Sequence, residues 1–361
     1  MKLFSISEST SVITLDALLK TESENALLIH LAEASKIGKD KVILDFRPVD
    51  HMNSAGANSL VILTTIAKQN KVKLFAYGMN QRYREILAIT GLDEGIVVLD
   101  GSAAQAGLLS SAELSELEKA DFKVGKQSDA GWAPKVDRLR VTERPERAFA
   151  KNIDGRRVIG QLQGFGPMWE KTYFLTIKKP GIRREDVICA IQEHFVEFQL
   201  PENSFYPTRK GMAPGEIIFI DSRTPGGIVS TGVMVLYMDD SSFTFITPQG
   251  HPEAGWITLS VDERGDSVYV QIQGLVRSSD PFFEVAFIIA GSKFQETIWK
   301  HVLSSLARYL GVEDNVQMKK YTPSPDLQWS KFQNVWYNSQ LRSLPLNIAS
   351  LFKRSHSIGK G

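Results

Sequence analysis

Two kinds of hydrophobic order divide this chain. In the first hundred residues short apolar runs (SVITLDAL, KVILDF, VKLFAYG, GIVVLD) alternate with longer segments whose apolar positions recur at helical spacing (ENALLIHLAEASKI, SAGANSLVILTTIAKQN, QRYREILAIT). Strand and helix in alternation imply a mainly parallel sheet with crossover helices, an α/β fold. Gly78 and Gly91 fall where two of these elements end. Beyond Ile153 strand follows strand: WEKTYFLTI, GEIIFIDS, STGVMVLYM, SFTFITP, GWITLSVDE and SVYVQIQGLV, with turn signals at DDSS, PQGHPEAG and ERGD. One helix, about Arg183 to Phe198, interrupts after the first strand. A long one, about Pro281 to Leu310, closes the series with Phe283, Phe287, Phe294, Ile298, Val302, Leu306 and Leu310 in one stripe. A long helix laid across a curved antiparallel sheet leaves a tapering space, the geometry of a ligand cup.

The change of pattern places the domain boundaries. At about 150 residues per domain, 361 residues allow two. Residues 101–150 are charged and poor in apolar side chains, and read as a linker that is partly helical or flexible. The expected organisation is therefore 1–100, a linker at 101–150, a second domain at 151–315 and a C-terminal extension at 316–361. Five of the six tryptophans and seven of the nine tyrosines lie beyond Ile153, so the two halves differ in composition as well.

Composition also removes function classes. Lys and Arg total 42 against 41 Asp and Glu, so no basic field favours nucleic acid. The N-terminus lacks the apolar core of a secretory signal, and no run of about 18 apolar residues occurs, which leads us to expect a cytoplasmic protein. The one cysteine, Cys189, cannot form an internal disulfide or a multi-thiolate zinc site, and it sits among Ile188, Ile191, Phe195 and Phe198 at helical spacing. No metal or cofactor is expected.

Within DHMNSAGANSLV the strand ending at Asp45 empties into a polar turn and a new helix. The order strand, helix, VILDFRPVDHMNSAGANSL, helix, KLFAYG, helix resembles the STAS domain, the fold of bacterial anti-sigma-factor antagonists, over about residues 3–100. That resemblance implies a regulatory partner of the anti-sigma-factor or kinase type, docking on a turn made of Asp45, Asn53, Ser54 and Gly56, with Ser54 as phosphoacceptor. Asn53 stands where the family carries an acid. Physics allows the switch: a helix start tolerates a dianion, while an added charge of roughly −1.5 to −2 repels an acidic or apolar partner. Simple capping of the helix by Asn53 or Ser54 is the competing reading. His51, beside the turn, reads as a surface histidine.

GRRVIGQLQGFGPMWEKTYFLTI, TPQGHPEAGWITLSV and the long terminal helix resemble the helix-grip, or START-like (SRPBCC), superfamily. The fold class expected overall is thus an α/β STAS-like sandwich followed by an α+β helix-grip domain. The resemblance implies a hydrophobic small molecule or lipid as ligand, and inward-facing positions nominate Tyr173, Met234, Leu236, Phe243, Phe245, Trp256, Tyr269, Phe283 and Phe287 as cup residues. A densely filled core is the alternative. Searching for catalysis mostly eliminates. GFGPMW lacks a dinucleotide fingerprint, no phosphate-cradling loop with Lys occurs, and neither His-Glu-x-x-His nor Gly-x-Ser-x-Gly is present. His251 and Glu253 in PQGHPEAGW read either as a hairpin turn or as polar groups at the cup mouth, where they could serve an enzyme acting on an apolar or aromatic substrate. The tail, with Trp329, Trp336, Tyr337, Arg342, Lys353 and Arg354, either docks back on the domain or makes peripheral contact with an anionic membrane. The leading expectation is a non-enzymatic regulator or carrier; an enzyme and a cavity-less adaptor are the alternatives.

Overall fold

The computed structural model describes residues 1–99, 107–119, 123–142, 152–208, 210–224 and 227–344, and divides the chain into two compact units, Met1–Lys135 and Val136–Gly361. In the first, five strands stand in the order β1 (Lys2–Ser5), β2 (Thr10–Thr14), β4 (Lys41–Asp45), β6 (Lys73–Tyr77) and β7 (Ile96–Val98), with β1 antiparallel to β2 and the rest parallel. A small parallel pair, β3 (Leu18–Leu19) with β5 (His51–Met52), lies apart. Helices α1 (Ser23–Lys36), α2 (Ser54–Gln69) and α3 (Gln81–Thr90) are the crossovers that parallel strands require. Gly91 closes α3 at φ 73°, a left-handed conformation that glycine adopts without a Cβ penalty.

The expected linker is in part a piece of this unit. Helix α4 (Ser111–Lys119) and the residues just before it bring Leu117 and Leu109 into a cluster with Val12, Ile43, Phe75 and Leu99. Glu113 pins it, accepting from Thr10 Oγ1 (2.6 Å) and Ser7 Oγ (2.8 Å), and those hydrogen bonds hold its carboxyl down at about 2. Residues 123–135 run across the loops that follow β4 and β6, with Trp132 donating to the Met52 carbonyl (2.7 Å). A few well-placed apolar side chains suffice to dock a segment whose composition is otherwise that of a tether. Residues 101–106, 120–122 and 143–150 of the expected linker lie outside the described residues.

The second unit is built on an antiparallel sheet in the order β10 (Asn203–Pro207), β11 (Ile217–Thr224), β12 (Gly227–Met238), β13 (Ser242–Pro248), β14 (Glu253–Arg264), β15 (Ser267–Ser278), β9 (Met168–Ile177) and β16 (Gln317–Ser324), with β8 (Val158–Ile159) added on β13. Strand β16 pairs with β9, so the sheet itself extends past the expected domain end at 315. Helix α5 (Arg184–His194) and the cover helix pack on one face. The cover helix runs as α6 (Pro281–Ala286), a π-helical stretch Phe287–Gly291, and α7 (Ser292–Leu310). Their inner surface, with Ile188, Phe195, Ile298, Val302 and Leu306, buries Tyr173, Leu175, Val235, Phe243, Phe245, Ile257, Leu259 and Ile272 of the sheet.

One end of the sheet is buried on its other face too. Gln161 donates to the Leu275 carbonyl (2.8 Å), and a Cβ on Gly232 would lie 2.3 Å from Ile153 Cδ1. Asn152 and the tail residue Ser343 bond at 3.2 Å, and Asn338 donates to Asp280 at the start of α6 (2.9 Å). Part of the tail thus packs back on the domain, as one of the two sequence readings had it. Lys353 and Arg354 lie outside the described residues.

Candidate functional site

Between the β10–β14 half of the sheet and the cover helix lies a cavity of about 460 Å³. Ile220, Val229, Val233, Phe245 and Ile257 form its sheet wall; Phe283, Phe287, Phe294, Ile298 and Trp299 form its helix wall. Phe282 and Ile289, 41% and 77% exposed, also line it, so the helix presents apolar side chains to solvent where the cavity opens. Thr231, His251, Glu253 and Gln295 are among the polar side chains that interrupt the apolar lining.

Five of the residues nominated from sequence line this space: Phe245, Phe283, Phe287, His251 and Glu253. Tyr173 and Phe243 lie in the same inner core without lining it. Met234 and Trp256 are fully buried on the opposite face. The register fixes this: Val235 pairs with Phe245 and Phe245 with Ile257 on the inner face, whereas Met234, Ile246 and Trp256 share the next level and the other face. Leu236 is the unpaired residue of a β-bulge between Val235 and Tyr237. Tyr269 stacks on Phe174 (5.5 Å) beneath the Arg264 guanidinium, away from the cavity. A shift of one residue exchanges the two faces of a strand, so assigning Val233 and Val235 to the outside put Met234 and Leu236 in the cup. Thr231 and Gln295 were missed altogether.

The buried polar groups have resolvable causes. Glu253, 6% exposed, is pushed up to about 7 by burial, with Lys171 pulling the other way. Lys171 Nζ is held by Glu296 Oε1 (2.8 Å) and Ser292 Oγ (2.8 Å). Burial pushes His251 down to about 4, and its Nδ1 accepts from the Glu253 backbone N–H (3.0 Å). His251 therefore engages the backbone of Glu253, and that bond prepares no proton transfer between imidazole and carboxyl. Among the described residues no cluster of three His, Cys, Asp or Glu is placed to hold a metal ion.

In the first unit the turn before α2 is built as a cap. Asn53 Oδ1 accepts from Gly56 N–H (3.0 Å), a cap that an Asp at this position could make as well. Ser54 opens the helix at 1% exposure, so in this conformation its hydroxyl is closed to a kinase. Asp45, fully buried, clamps Arg47 through Nε (3.0 Å) and Nη2 (2.8 Å) and is a positioning group rather than a docking surface. His51, half-buried, meets the Ser128 carbonyl (3.1 Å) and is not the surface histidine its polar setting suggested. Gly56 has a steric reason: a Cβ there would lie 2.4 Å from the Leu19 carbonyl oxygen. Gly56→Ala is therefore expected to cost about 1–3 kcal/mol through overpacking, read as a lower urea midpoint for the first unit.

Residues 4–106 match the family model of the STAS domain, in agreement with the parallel strand order and crossover helices of this unit. The N-terminal unit carries a STAS domain. Among solved structures the chain is similar to the anti-sigma factor antagonist SpoIIAA in its unphosphorylated form (13% identity, 33% of this chain and 98% of that one, TM-score 0.25). It is similar also to the phosphorylated form of SpoIIAA, a Bacillus cell fate determinant (15% identity, 30% and 98%, TM-score 0.25). A Mycobacterium smegmatis protein matches at 11% identity over 43% of this chain and 96% of its own (TM-score 0.29). A search of the curated proteins found no match. Among the described residues no helix is long and apolar enough to cross a membrane.

Proposed function

We propose that the chain is a non-enzymatic regulator in which the STAS domain docks on a protein partner of the anti-sigma-factor or kinase type, and a helix-grip domain binds a hydrophobic small molecule or lipid. The observation that carries the ligand half is the apolar cavity under the cover helix, about 460 Å³ and within the size range of small-molecule sites. For the partner half, support comes from the STAS match over residues 4–106. Phosphorylation of Ser54 would require its buried side chain to be uncovered first. The exposed Trp329, Phe332 and Trp336 support brief contact with a membrane from which a ligand could be taken up.

Hydrogen exchange on the full chain with and without Nile red tests both halves at once. Added dye is expected to protect residues 229–233 and 281–299 and to change exchange across residues 50–60. Unchanged exchange at the cavity segments sinks the carrier reading, and protection confined to them sinks the coupling.

A further inference from the structure

Three polar atoms in the cavity stand apart from the rest of its wall. Thr231 Oγ1, Glu253 Oε1 and Gln295 Oε1 have no hydrogen-bond partner in the protein, and their residues are 3%, 6% and 7% exposed. They are not scattered. Met234 and Trp256 share one level of the sheet through Ile246, and Thr231 and Glu253 each lie three residues earlier on strands running the same way. Both line the cavity, so both stand on the inner face, at the end of β12 and β14 that lies beyond the last β12–β13 pair. Gln295 faces this strip from the cover helix. An unmade hydrogen bond on a buried group costs about 1–3 kcal/mol, so a guest that supplies donors here gains what the empty wall forfeits.

The strip also selects by charge. Lys171 bonds to Glu296 at 2.8 Å and acts on Glu253, the carboxyl of the cavity wall, only through space. Thr hydroxyls donate or accept, and a Gln amide can turn to offer either end, so neither discriminates. Glu253 does: an acidic head group set against it would place two carboxyls in one low-dielectric site.

Resting on the ligand-binding reading above, the geometry points to an apolar guest whose polar end carries N–H or O–H donors, held by Glu253 with Thr231 and Gln295, and not to a fatty-acid carboxylate. The test displaces Nile red from the full chain at about pH 8.5, above the titration of Glu253 at about 7, with decan-1-ol, decylamine and decanoate, three guests that differ only at the head. Decylamine and decan-1-ol are expected to bind at least about tenfold tighter than decanoate, the equivalent of one hydrogen bond to a charged group. Glu253→Gln should bring decylamine to within about threefold of decan-1-ol, since the carboxylate's share of the charge-assisted bond is gone. Thr231→Val should weaken decan-1-ol and decylamine together and does not touch the carboxyl. Decanoate binding as tightly as decan-1-ol, or decylamine keeping its full wild-type advantage over decan-1-ol in Glu253→Gln, overturns the inference and leaves the cavity reading standing. Failure of Nile red itself to bind overturns both.

Discussion

Trp256→Ala is expected to lower the stability of the second unit by about 3–5 kcal/mol while leaving its affinity for Nile red within about twofold. The indole is among the largest fully buried side chains of the chain. Its row, with Met234, Ile246 and Leu275, lies on the face turned away from the cavity. Truncation therefore opens a void on that face without touching the guest's wall. Urea unfolding followed by circular dichroism, with dye titration below the transition, separates the two quantities. A large loss of affinity with little loss of stability would mean that the faces are the other way round. Trp256→Phe should be much milder, because the indole N–H has no protein hydrogen bond to lose.

That same residue marks where the sequence stops being legible. Strand β9 alternates cleanly, with Lys171, Tyr173, Leu175 and Ile177 buried between half-buried neighbours, and Tyr173 was assigned to the inner face from that rhythm. Strands β12 and β13 are buried almost throughout, because residues near 152–166 and part of the tail cover the outer face. An unbroken apolar run carries no phase, and a bulge after Val235 shifts it again. In the STAS domain the alternation of periods made the crossover helices readable, and Asn53 as a cap was one of two readings offered by the polar turn. The burial of Ser54 was not readable, since a polar turn gives no sign of what packs over it. The turn chemistry of PQGHPEAG had a similar limit. It marks a reversal after Pro248 correctly but gives no sign that Glu253 is the first residue of β14 with its carboxyl sealed inside.

That sealed carboxyl yields the second large effect, one that depends on pH. In the unfolded chain Glu253 titrates near 4.5, whereas burial moves it to about 7 in the folded protein. Below pH 4.5 both states hold the proton and nothing is lost. Between 4.5 and 7 the unfolded state releases it first, so stability falls as pH rises, reaching a loss of about 3 kcal/mol above pH 7. His251 works in the opposite direction: its folded value of about 4 lies below 6.5, so its contribution is lost as pH falls between those limits. From 4.5 to 6.5 the two slopes cancel, and neither is visible in the wild-type curve alone. Glu253→Gln removes one of them. The groups facing this carboxyl, Lys171 with its partner Glu296, Tyr173 and the neighbouring His251, remain. The variant is expected to gain up to about 3 kcal/mol over wild type between pH 4.5 and pH 8 in paired urea titrations, with the gain levelling off above pH 7. A difference that stays flat from pH 4 to 9 would mean that this carboxyl is hydrated, and a hydrated Glu253 would have no unmet hydrogen bond to offer a guest.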